Sequence, residues 1–176
     1  EYAELTARKG LYDQAFDLLF KAESLALDQI DNNNLLKVYG QLRILMASNR
    51  FPKNNELTLP ILLDKMNSVA AEILTHAQIR KFQYQFQYRI SHLGLVTKKD
   101  LVDLKTILTN DVVNNIGPES GFYPQVLRHH MYSQYYFLTD EHENGYEHTK
   151  QYLALCRSRK GLKEFNPRIY LAACNN

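Results

Sequence analysis

Four side chains in one short stretch have the chemistry to hold a metal ion: Glu141, His142, Glu143 and, a little further on, His148. Two imidazoles and two carboxylates could coordinate a divalent cation and let it act as a Lewis acid. The same residues also suit a solvated turn between paired helices, where charged groups stay in water, and that is the favoured reading. His129 and His130 are adjacent, so on a helix they point about 100° apart and do not converge on one ion. Glu72 and His76 share a helix face, but one such pair without a second is no di-metal site. Cys156 follows His148 by about 12 Å along a helix, too far for a nucleophile and its base. It shares an apolar stripe with Leu153 and is expected to be a buried structural thiol.

The glycines Gly10, Gly40, Gly94, Gly117, Gly121, Gly145 and Gly161 assemble neither a dinucleotide fingerprint nor a phosphate-binding P-loop. Gly117-Pro118-Glu119-Ser120-Gly121 sets its serine one position late for a nucleophile elbow, and no His-Glu-x-x-His is present. The expectation is therefore a protein that is not an enzyme and takes no metal or cofactor.

What must position any site is helical. The 176 residues contain only 7 Gly and 5 Pro, well below the roughly 12% combined average, which argues against an all-β chain with many tight turns. A chain of this length buries enough surface to hold a core without disulfides, and its length favours a single domain over residues 1–176. With 21 Lys+Arg against 19 Asp+Glu and both signs interspersed, there is no basic stripe for nucleic acid. The densest basic cluster, Arg157, Arg159, Lys160 and Lys163, is expected to be a solvated helix end, where cations complement the macrodipole. No apolar run reaches the 18 or more residues of a membrane span. Two cysteines eighteen positions apart, with no Cys-x-x-Cys, point to a reducing compartment and hence the cytoplasm. A helical pattern already present at Glu1–Ala7, with no initiating Met, suggests a fragment of a longer chain.

Apolar residues recur at three- and four-residue spacings in Tyr12–Leu27, Leu35–Met46 and Leu59–Leu74, three amphipathic helices. Asp31 to Asn34 offers N-caps for the second, and Asn49 and Pro52 should end it. Phe82, Tyr84, Phe86, Tyr88 and Ile90 alternate with polar residues as a strand would. They equally give a helical face of Ile79, Phe82, Phe86 and Ile90 with Tyr84 and Tyr88 as a second stripe, a helix buried on two sides. A lone strand would have no partner, so helix is preferred. Thr97 to Asp100 starts another helix. Longer segments follow at Tyr123–Leu138 and Tyr146–Arg157, and Asn166-Pro167 opens a last one. The total is seven or eight antiparallel helices.

The run Gly10-Leu11-Tyr12, Ala15, Leu19 and Ala22 resembles the second half of a tetratricopeptide repeat (TPR). There Gly10 would allow the tight turn, Tyr12 would pack on the preceding helix, and Ala15 and Ala22 would let helices approach. A second match is Asn144-Gly145-Tyr146 with Thr149, Leu153 and Cys156, roughly four repeat lengths of about 34 residues later. The order of features is also similar to helical-repeat proteins common in Bacteroidetes, a likeness that brings no activity with it. The TPR resemblance implies an all-α, right-handed solenoid of stacked helical hairpins that binds a protein or peptide segment on its concave face. It places Asn34, Lys37 and Gln41 on the inner face of the second helix as contact positions. Tyrosine buries its ring while keeping its hydroxyl wet, so Tyr84 and Tyr88, with Gln134 supplying an amide, are further contact candidates among 12 Tyr and 8 Phe.

The last helix presents Ile169, Tyr170 and Ala173 with no following partner, so self-association through exposed repeat ends is expected. The leading functional expectation is a protein-interaction scaffold. The alternative is a peptide-sensing regulatory segment that controls an attached DNA-binding or catalytic output domain.

Overall fold

The computed structural model describes residues 2–48, 56–159 and 161–175. Asn49, Pro52 and Lys160, which figured in the sequence expectations, lie outside the described residues, as does Glu1. All regular secondary structure among the described residues is helical, with no strand among them. The order is α1 (Tyr2–Arg8), α2 (Tyr12–Asp28), α3 (Asn32–Ala47), α4 (Leu59–Ser91), α5 (Lys98–Leu108) and α6 (Asp111–Asn114). A 3-10 turn (Pro118–Ser120) leads into α7 (Phe122–Leu138), α8 (His142–Ser158), α9 (Leu162–Phe165) and α10 (Pro167–Asn175). The count exceeds the expected seven or eight because α6 and α9 have four residues each, too short for an apolar period to register. Among the described residues no helix is long and apolar enough to cross a membrane.

The chain divides into two compact units, residues 1–73 and 74–176. In the first, Phe16 and Ala15 of α2, Leu42 of α3 and Leu62 of α4 are almost wholly buried and form one core with Leu19, Leu35, Tyr39 and Val69. In the second, Ile79 and Phe86 of α4 pack with Leu104 and Leu108 of α5, Val113 of α6 and Met131 of α7. Each such large side chain removed from water contributes about 1.5–3 kcal/mol.

The two apolar stripes on either side of residue 75 belong to the single helix α4, and its second half explains the period-two alternation. Phe82, Phe86 and Ile90 face the core of the second unit. Tyr84 and Tyr88 lie on another face and stay 59% and 66% exposed, so this stretch is a one-sided helix and not one buried on two sides.

Caps follow local chemistry. The Asp31 side chain accepts from the Asn34 amide at 3.0 Å and starts α3. Thr97 and Asp100 satisfy each other's backbone amides in a reciprocal capping box at the start of α5.

Three connectors share one design. Gly10, Ile30 and Asp140 each have a positive φ, of 78°, 56° and 64°, and each is the middle residue of a three-residue link, between α1 and α2, α2 and α3, and α7 and α8. In each, the following amide donates five residues back: Leu11 to Thr6, Asp31 to Ala26 and Glu141 to Tyr136. The left-handed residue itself donates three back, to Ala7, Leu27 and Phe137. This paired bond closes a helix on a left-handed residue, and it lets the next helix begin two residues later.

That geometry shifts the second repeat match. Asp140, not Asn144, occupies the turn position of Gly10, so Gly145 and Tyr146 lie one turn inside α8. Gly145 then corresponds to Ala15. It is buried against the Phe137 ring, where an added Cβ would come within 3.0 Å of Phe137 Cε1. Tyr146 is 67% exposed and packs no seam. Thr149 donates to the Gly145 carbonyl at 3.0 Å, Leu153 is half-buried, and Cys156 is buried. In the first match Ala15 and Leu19 are buried, while Tyr12 and Ala22 are half-buried against the same core.

The last helix is better covered than expected. Ala173 is buried, Ile169 and Tyr170 are half-buried, and the Tyr152 hydroxyl of α8 donates to the Ile169 carbonyl at 3.0 Å.

Candidate functional site

The three-residue links bring α1, α2 and α3 together around a groove of about 500 Å³. Its apolar lining comes from α2, where Leu18 and Leu25 are partly exposed and Ala22 keeps the wall low. Its polar rim is Asn34, Lys37 and Gln41, three residues of one α3 face. A second hollow of about 360 Å³ continues along α3 past Ile44 to Ser48 and shares Ala3, Leu19 and Gln41 with the first. From Asn34 to Ser48 the open face of α3 runs about 21 Å at 1.5 Å per residue. That accommodates about six residues of extended peptide.

The rim is held in place by its own hydrogen bonds. Lys37 Nζ donates to Asn34 Oδ1 at 3.3 Å, and Asn34 Nδ2 donates to Asp31 Oδ2 at 2.7 Å. The N-cap aspartate of α3 therefore orients the amide that in turn orients the lysine. Lys37 and Asp31 offset each other, so the groove carries no net charge. What it offers a ligand is an apolar floor beside an amide and an ammonium donor.

The sequence placed Asn34, Lys37 and Gln41 on one face, and they line one groove. Tyr84, Tyr88 and Gln134 belong to the other unit. Arg80 donates to the Tyr84 hydroxyl at 3.0 Å and lies over its ring, and the Tyr88 ring packs at a tilt on His92. Gln134 accepts from Gln87 at 2.6 Å, a bond that ties α7 to α4. Sequence reasoning missed Leu18, Leu25 and Ile44. The available signal was that Leu18 and Leu25 stand seven apart on α2 and outside the stripe that feeds the core.

The Glu141 to His148 group does not converge. His142 pairs with Asp140 at 2.8 Å, and Glu141 accepts from Thr139 and Asn144 across the turn. His148 instead turns to α7, where its Nδ1 lies 2.9 Å from Nδ1 of His129, one imidazole donating and the other accepting. The His148 ring stacks on Tyr132 and Tyr136, with centroids 4.9 and 5.6 Å away. Arg128 lies 4.9 Å over the opposite partner, Tyr132. Burial, the facing imidazole and Arg128 push His129 down to about 4, and burial with Arg128 also lowers His148. Among the described residues no three His, Cys, Asp or Glu side chains gather as a metal site. Glu72 accepts from Asn32 at 3.0 Å, and His76 stacks on Tyr123. Burial raises the Cys156 thiol to about 11, which keeps it protonated and unreactive at neutral pH.

Comparison with protein-family models, with curated proteins and with solved structures finds no match to this chain.

Proposed function

We propose that this protein is a peptide- or protein-interaction module, built of TPR-like helical hairpins, whose ligand lies along α3 in the groove between α1 and α3. The observation that carries the reading is the joining of two features on one surface: partly exposed leucines of α2 and an ordered polar rim on α3. Leu25 is 57% exposed and Ile44 53%, on helices that send a separate apolar stripe, Phe16 and Leu19 of α2 and Leu35 and Leu42 of α3, into the core. Exposed apolar side chains bordered by fixed donors are what a docking surface needs, because desolvation drives binding and the donors set register. The recurrence of one connector geometry supports the repeat character of the hairpins, and the solenoid arrangement is part of the same proposal.

Selection of peptides from a random display library on the full chain tests the reading. Selected peptides should bind the parent at least tenfold more tightly than the variant Lys37→Glu with Gln41→Glu. Selected peptides that bind parent and variant alike would place recognition elsewhere.

A further inference from the structure

The cationic residues at the end of α8 have more structure than a solvated helix end requires. The exposed side chains of Arg157, Arg159, Lys163 and Glu164 line a mainly polar pocket of about 400 Å³ together with Tyr170 and buried Cys156. Among the described residues three cations face one carboxylate there. Among the described residues none of the three cations forms an ion pair. Two of them are held by aromatic faces instead: Lys163 Nζ lies 4.6 Å from the Tyr170 centroid and Arg159 Cζ 5.8 Å from that of Phe122. A cation on a ring is positioned without being neutralised, whereas a carboxylate partner would cancel its charge. The carbonyl end of α8 contributes about half a negative charge and offsets only part of the excess. The neutral thiol of Cys156 adds none.

We propose that this pocket binds a phosphate group. A polar cavity is a poor host for an apolar ligand, and an excess of about one and a half positive charges, with the carbonyl end of α8 counted, suits a phosphate group carrying one to two negative charges. Two arginines add planar donor forks suited to its tetrahedral oxygens. The site lies wholly in residues 74–176 and is separate from the α3 groove, so either can fail without the other.

Titration of the full chain with inorganic phosphate and with O-phosphoserine at constant ionic strength, followed by the amide resonances of Gly161 and Leu162, tests the proposal. Saturable shifts are expected with at least one of them. Tighter binding of inorganic phosphate assigns the free ion, tighter binding of O-phosphoserine assigns an esterified phosphate, and equal binding assigns recognition to the phosphate group itself. Arg157→Gln with Arg159→Gln should weaken binding at least tenfold. Lys98→Gln with Lys99→Gln removes the same charge from α5 and should leave it unchanged. Arg159→Lys keeps the charge over Phe122 but gives up one planar fork, so it should bind more weakly than the parent and more tightly than Arg159→Gln, a ranking that a merely misfolded glutamine variant would not produce. Absence of saturation with both probes, or equal weakening by the α5 and α8 pairs, overturns the proposal.

Discussion

Asp140 holds, in the link between α7 and α8, the left-handed conformation that Gly10 holds between α1 and α2, with φ of 64° and 78°. For an L-residue this conformation costs about 1–2 kcal/mol. A Cβ at Gly10 would meet nothing within 4 Å, so Gly10→Ala isolates the backbone term. It should destabilise the protein by about 1 kcal/mol in urea titration. The converse change, Asp140→Gly, loses only an exposed contact to His142 and should be neutral or stabilising by a few tenths of a kcal/mol, because the glycine relieves the turn but gains entropy when unfolded. Destabilisation of similar size by both changes would contradict the equivalence of the two turns.

A buried carboxylate joins three helices of the first unit. Glu23 of α2 accepts from the Tyr39 hydroxyl of α3 and from Lys65 Nζ of α4, each at 2.9 Å. Burial, then the bond to Glu23, holds the Tyr39 phenol well above its ordinary range. Glu23→Leu leaves the buried hydroxyl unpaired and should cost about 2 kcal/mol, and Tyr39→Phe about 1 kcal/mol. Lys65, with its side chain 43% exposed, should matter less, at or below about 1 kcal/mol for Lys65→Met. The ranking is checked by chemical denaturation, and Lys65→Met proving the costliest of the three would contradict it.

Acid should weaken the second unit through His129 and His148. Their folded pKa values lie below the unfolded value, His129 at about 4. Between that value and the ordinary histidine value of about 6.5 the unfolded chain binds more protons than the folded one. Stability is therefore complete above about pH 6.5 and falls as the pH drops toward 4. The first proton can be shared across the 2.9 Å contact, but a second would set two N–H groups against each other. Melting temperature should fall between pH 7 and pH 4.5, and His129→Gln with His148→Gln should flatten that dependence. Some slope should survive from His76 and His130, which burial also lowers. An unchanged slope in the double variant would exclude the pair as its source.

Much of the helical architecture was legible because the apolar spacing of α2, α3 and the first half of α4 comes from residues that meet one core. The Phe82 to Ile90 stretch was ambiguous for a physical reason: tyrosine counts as apolar in a pattern, yet Tyr84 and Tyr88 stand in solvent while Phe82 and Phe86 are covered. The second turn was misplaced because glycine signalled it. Asp140 took the left-handed position, and Gly145 serves close packing against Phe137. On α3, the repeat resemblance named Asn34, Lys37 and Gln41 as one face, and their three- and four-residue spacing keeps them together on the helix that lines the groove. The α2 wall was only partly legible: the seven-residue spacing of Leu18 and Leu25 off the core stripe marks them as exposed, but no local pattern tells an exposed leucine that lines a groove from one, like Leu27, that does not. The convergence of His129 with His148 depends on how α7 and α8 pack, which adjacent-residue angles do not encode.

The central claim is that recognition occurs along α3. Its most direct test is titration of the isotope-labelled full chain with a peptide selected on it, followed by amide resonances. The account predicts shifts concentrated at Leu18, Ala22, Leu25, Lys37, Gln41 and Ile44, abolished by Lys37→Glu with Gln41→Glu. Shifts confined to residues 74–176, or persisting in that variant, would contradict it.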